Sequence, residues 1–98
     1  MLINVFLGQS LNINDLKKIK LEKTQLLQFK ENIVWFEGFY IRVMCDGLEI
    51  NIINPNISEQ HILTNIIKPI LDGRNALIKI RKGDIVMQFW VNKKSAYI

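Results

Sequence analysis

One histidine, one cysteine and nine carboxylates are the main groups with which this 98-residue chain could do acid–base, nucleophilic or metal chemistry. His61 and Cys45 stand alone, so a zinc site would need carboxylates to complete it, and none has the usual ligand spacing. His61 falls in what reads as the first turn of a helix, a place for a surface or capping histidine. A catalytic histidine would need a nucleophile and an orienting acid, and no motif supplies them. Among the acids, Asp46 and Asp84 sit at turns, while Glu31, Glu49 and Glu59 have local roles. No two are spaced for general acid–base work. The five glycines (Gly8, Gly38, Gly47, Gly73 and Gly83) are all separated, so neither a dinucleotide fingerprint nor a phosphate loop is present. The expectation is a non-enzymatic protein with no catalytic, metal-binding or cofactor-binding residues.

One run invites a nuclease reading. Thr64-Asn65-Ile66-Ile67-Lys68-Pro69-Ile70-Leu71-Asp72 resembles the helix of phage Holliday-junction resolvases, whose signature is D-x-D-N-x-x-K-x-x-x-D. Asn65, Lys68 and Asp72 fit, but Ile62 and Thr64 occupy the positions of the family's metal-binding aspartates. Mg²⁺ requires carboxylate oxygens there, so the activity is not expected to carry over.

Binding chemistry is better represented. Lys79, Arg81, Gln88 and Trp90 share one face of a hairpin, with Lys93, Lys94 and Tyr97 following. A basic strand face with an aromatic platform suits single-stranded nucleic acid, and the net charge of +4 permits a polyanionic partner. Leu77 and Val86 lie on that same face and Asp84 at its tip, which suits a protein partner or a covering element instead.

The elements that position these residues follow from turn signals and periodicity. Met1 to Leu7 alternates with apolar residues on both faces, as a central or doubly covered strand does. Asn14 or Asp15 could cap a short N-terminal helix, and residues 24–30 lean towards a strand. Ile33 to Cys45 reads as one long strand with a bulge or bend at Gly38. Asp46-Gly47 closes a hairpin with Cys45 opposite Leu48, Val43 opposite Ile50 and Ile41 opposite Ile52, all on a core face, Cys45 included. Met44 then meets Glu49, and Arg42 meets Asn51, on the other face. Ser58 caps a main helix over 58–72, with Ile62, Ile66 and Ile70 forming its apolar stripe alongside Leu63 and Ile67. Pro69 should kink it, and Gly73 should end it. Arg81-Lys82-Gly83-Asp84 closes the last hairpin, with Ile80 opposite Ile85, Ile78 opposite Met87 and Ala76 opposite Phe89. Its other face carries Leu77, Lys79 and Arg81 against Asp84, Val86, Gln88 and Trp90. The fold class is α+β in a single domain, 1–98: one antiparallel sheet of about five to six strands, one main helix, and room for a short N-terminal one.

No stretch is long and apolar enough for a transmembrane helix, and Met1–Leu7 lacks the basic flank of a signal peptide. A lone cysteine fits a reducing cytoplasm. Ile, Asn and Lys crowd the chain while Arg is scarce, the usage of AT-rich coding sequences such as those of many bacteria and phages. With Trp35, Tyr40, Trp90 and Tyr97 as interface-type aromatics, and with its size and its stretches Ile33–Ile53 and Ala76–Val91, the chain resembles the small cytoplasmic immunity proteins of contact-dependent growth inhibition and related polymorphic toxin systems. That resemblance implies a cognate toxin domain as partner, blocked at its active site. The candidate contact residues are Arg42, Glu49, Lys79, Arg81, Gln88 and Trp90, all on the expected non-core sheet faces. A small basic nucleic-acid-binding module is the alternative, and a phage or bacterial structural or assembly subunit a second one.

Overall fold

A computed structural model of the chain describes residues 1–12, 16, 26–30 and 32–91. Seven antiparallel strands form one open sheet: β1 (Leu2–Phe6), β2 (Leu26–Lys30), β3 (Ile33–Phe36), β4 (Phe39–Met44), β5 (Gly47–Ile52), β6 (Ala76–Lys82) and β7 (Ile85–Val91). Their spatial order is β2-β3-β4-β5-β1-β6-β7. Helix α1 crosses between β5 and β6 as three consecutive segments, Glu59–Ile62, Leu63–Ile67 and Lys68–Leu71. The fold is α+β with one main helix, as the turn signals and periodicities imply. The short N-terminal helix expected after Asn14 lies outside the described residues, apart from Leu16, which is buried.

The strand count rises because Ile33–Cys45 is not one strand. Glu37 and Gly38 form a two-residue loop, and Phe36 pairs with Phe39 across it. Gly38 holds φ +88°, and its carbonyl accepts from both the Ile53 and Asn54 amides (2.8 and 2.9 Å). A Cβ there would crowd the Ile57 side chain at 2.7 Å, so only glycine allows the loop to seat against residues 53–57. The rings of Phe36 and Phe39 stack on the core side at 4.8 Å.

Both other hairpins close differently from the sequence reading. Met44 pairs with Gly47, so the first loop is Cys45-Asp46, and Val43 faces Leu48, Arg42 faces Glu49 and Ile41 faces Ile50. Gly47 is a strand residue (φ +155°) that β1 approaches so closely that a Cβ would strike the Val5 carbonyl oxygen. The glycine is required by the neighbouring backbone rather than by the turn. Cys45, expected in the core, is exposed in the loop. In the last hairpin Lys82 pairs with Ile85, the loop is Gly83-Asp84, and Ile80 faces Met87. Each register is displaced by two positions, which preserves side-chain parity. The division of residues between the two faces therefore survives.

β1 joins the hairpins, pairing with β5 on one side and β6 on the other. Its Ile3 and Val5 are buried with Val34, Phe36, Phe39, Ile41, Leu48, Ile50, Ile52, Ala76, Ile78 and Ile80, against Ile62, Ile66, Ile67 and Leu71 of the helix. Among the described residues no polar side chain is buried in this core.

Ser58 caps α1, its hydroxyl accepting from the His61 amide at 3.1 Å, and Glu59 lies in the first turn where its charge favours the helix dipole. Pro69 has no amide to donate and would crowd the carbonyl of Asn65 in a regular helix. The chain widens ahead of it into a π-turn, in which the Lys68 amide bonds to the Leu63 carbonyl. The widened turn advances the buried stripe, so Leu71 rather than Ile70 follows Ile66 and Ile67 into the core. Asp72 and Gly73 end the helix in left-handed conformations (φ 50° and 81°). Among the described residues no helix is long and apolar enough to cross a membrane.

Replacing Gly47 by alanine should cost about 3 kcal/mol through backbone overlap with β1. Gly83→Ala, with open space around it, should cost about 1 kcal/mol for its left-handed φ alone. Urea midpoints of the two variants give the comparison; equal losses would show that the β1 contact is not limiting.

Candidate protein-binding face

Strand pairing carries side chains across the sheet in rows, and three rows make up the face opposite the helix. The central row runs Ile33, Arg42, Glu49, Asn4, Lys79, Gln88. On one side of it lie Trp35, Tyr40, Asn51, Leu2, Arg81 and Val86, and on the other Met44, Gly47, Phe6, Leu77 and Trp90. All six residues singled out from sequence (Arg42, Glu49, Lys79, Arg81, Gln88 and Trp90) therefore share one face. Four of them stand in one row, spread over five adjacent strands, which at about 4.8 Å per strand is too wide for a small-molecule pocket.

The two halves of this face differ chemically. On β3–β5 the polar groups engage one another. Arg42 pairs with Glu49 at 3.4 Å and lies over the Tyr40 ring at 5.8 Å. Tyr40 packs against Trp35 at 4.8 Å between ring centroids and accepts a hydrogen bond at its hydroxyl from Asn51. Arg42 and Glu49 thus belong to a self-satisfied cluster.

On β1, β6 and β7 the arrangement is different. Phe6, Leu77 and Trp90 are direct cross-strand neighbours, and Phe6 and Trp90 are exposed. Lys79 stands in the row next to it and Arg81 one row further on, and neither has an ion pair with a described residue. Val86 and Gln88 complete the patch and are also exposed. Among the described residues no element covers it. Phe6 was not among the residues selected from sequence. Its alternation with the buried Ile3 and Val5 gives its face, but only the insertion of β1 beside β6 brings it to Leu77.

Other features have less to offer chemically. Asn65, of the resolvase-like run, bonds back to the His61 carbonyl and lies at 3.1 Å from its Nδ1. Among the described residues no group of His, Cys, Asp and Glu could hold a metal ion. A cleft of about 420 Å³ lies at the helix start, lined by Met1, Ile52, Ile57, Ser58, Glu59 and Lys82 among others. Two of its polar groups are committed: the Met1 amine donates to the Ile52 carbonyl and Ser58 caps the helix. One carboxylate oxygen of Glu59 is buried there with no hydrogen-bond partner among the described residues.

No protein-family model, curated protein or solved structure matches the chain.

A double-mutant cycle on Arg42 and Glu49 should give a coupling of about 0.2–1 kcal/mol, since both partners retain contact with water. The coupling should shrink in 1 M salt. A larger, salt-insensitive value would mean that this pair is part of the structural core.

Proposed function

We propose that this protein is a non-enzymatic protein-binding domain of the immunity type, which docks on a toxin domain and occludes its active site. The observation that carries the reading is the row Phe6–Leu77–Trp90 with Lys79 in the next row and Arg81 in the one beyond. Exposed Phe6 and Trp90 on either side of Leu77 are the kind of side chain on which protein interfaces concentrate their affinity. Uncompensated cations beside it accelerate encounter and select a partner with an acidic patch, such as a cluster of carboxylates around a toxin's active site. The half of the face containing Arg42 and Glu49 serves as rim, because those charges already satisfy each other. The size and aromatic content noted in the sequence support the immunity class, and a cytoplasmic address would follow from it.

Nucleic acid is the second reading, favoured by Lys79, Arg81 and Trp90 lying together. The apolar row weighs against it, because the aliphatic Leu77 between Phe6 and Trp90 offers no ring for a base to stack on.

Used as bait in a lysate of its source organism, the protein should recover the C-terminal fragment of a large secreted protein, and co-expression should protect cells from that fragment. Lys79→Glu with Arg81→Glu should weaken that complex at least tenfold while changing the unfolding midpoint little. Absence of protection would overturn the immunity reading. Tight binding to RNA or DNA with a log–log salt slope of several units would establish the nucleic-acid reading in its place.

A further inference from the structure

The sheet ends at β7, and among the described residues no strand pairs with its far side. This edge is seven residues long, Ile85-Val86-Met87-Gln88-Phe89-Trp90-Val91, and contains no charge and no proline. Its large apolar side chains are exposed on both faces: Ile85 65%, Val86 47%, Met87 43%, Phe89 36% and Trp90 53%. Proteins that remain monomeric protect such edges with lysines, prolines, bulges or a covering element. The opposite edge, β2, ends on Lys30, whereas β7 has no lysine, proline or bulge along its length, and among the described residues no strand covers its edge.

The edge is also self-complementary. The two-residue loop makes Lys82 and Ile85 a hydrogen-bonded pair. Pairs alternate from there, so Val86 and Gln88 turn their N–H and C=O groups away from β6 and towards the open side. An antiparallel second copy of β7 with its two-fold axis at Gln88 places Gln88 opposite Gln88, Met87 opposite Phe89, Val86 opposite Trp90 and Ile85 opposite Val91. Every apolar side chain then meets an apolar one, each on its own face. The amide of Gln88 meets its equivalent, and no residue of either β7 brings a charge to the contact. Closed two-fold assembly needs this kind of symmetric complementarity.

We infer that β7 is the contact of a homodimer, in which two copies pair edge to edge about Gln88 to make one continuous fourteen-stranded sheet. The inference does not depend on the immunity reading, since it uses the edge rather than the face. In the dimer the two Phe6–Leu77–Trp90 rows lie on the same side of the joined sheet, near the axis.

Sedimentation equilibrium of the full chain tests this through a charge exchange at the axis. The wild type should sediment with twice the monomer mass. Gln88→Lys and Gln88→Glu should each sediment as monomers, because each sets like charges opposite one another. An equimolar mixture of the two should recover the dimer mass. In the wild type, exchange of the Val86 and Gln88 amides with solvent should slow as protein concentration rises. This second measurement requires no variant to fold. A monomeric wild type, a dimer indifferent to both substitutions, or amide exchange independent of concentration would overturn the inference.

Discussion

A helix is about 10 Å across and strands lie about 4.8 Å apart, so a single thirteen-residue helix cannot shield a seven-stranded sheet from end to end. Much of this structure follows from that mismatch. The core-facing side chains of β3, β4, β5, β1 and β6 are buried almost without exception, with Leu11 and Leu16 adding cover beside the helix. Coverage stops at β7, none of whose residues is fully buried. Among the described residues, the edge at β7 and the face opposite the helix are the surfaces to which this apolar cover does not extend.

How that outer face is composed decides what it can do. The β3–β5 half resolves its own polar chemistry, with Trp35, Tyr40, Arg42, Glu49 and Asn51 satisfying one another. A surface that has already paired its charges and stacked its rings offers a partner shape, but little unspent interaction energy. The β1–β6–β7 half has apolar groups in register with cations to one side, and it is there that a partner would gain most from desolvation. The same division explains why six residues on one face need not contribute equally.

The fold was legible in the sequence to the extent that it rests on parity. Two-residue alternation put Ile41, Leu48, Ile50, Ile78 and Ile80 on one face and Arg42, Glu49, Lys79, Arg81, Gln88 and Trp90 on the other, and a displacement of two positions in each hairpin leaves that sorting intact. What depends on contacts between distant segments was hidden. Gly47 resembled a turn glycine because its requirement comes from Val5, more than forty residues away in sequence. Gly38 resembled a bulge because the loop on which its turn seats, residues 53–57, lies beyond the next hairpin. Cys45 followed the strand pattern to its end and was placed in the core, but the loop begins one residue earlier and exposes it. Pro69 marked where the helix would be irregular, but not that a π-turn would absorb the irregularity and bring Leu71 into the stripe. The candidate face was legible within each hairpin, through Arg42 and Glu49 in one and Lys79, Arg81, Gln88 and Trp90 in the other; Phe6 joins it through the placement of β1, which no local pattern encodes.

The position of β1 has a consequence for how the chain is made. The strand synthesised first is the one that closes the sheet, lying between β5 and β6 with Met1 bonded to Ile52 through both its amine and its carbonyl. At roughly 5–20 residues per second, β1 emerges from the ribosome several seconds before the second of its two neighbours exists. Throughout that interval a strand with apolar side chains on both faces has at most one partner. Its native pairing on the β6 side waits until β6 has been made, so the nascent chain passes through a stage in which a strand apolar on both faces presents an open edge of its own.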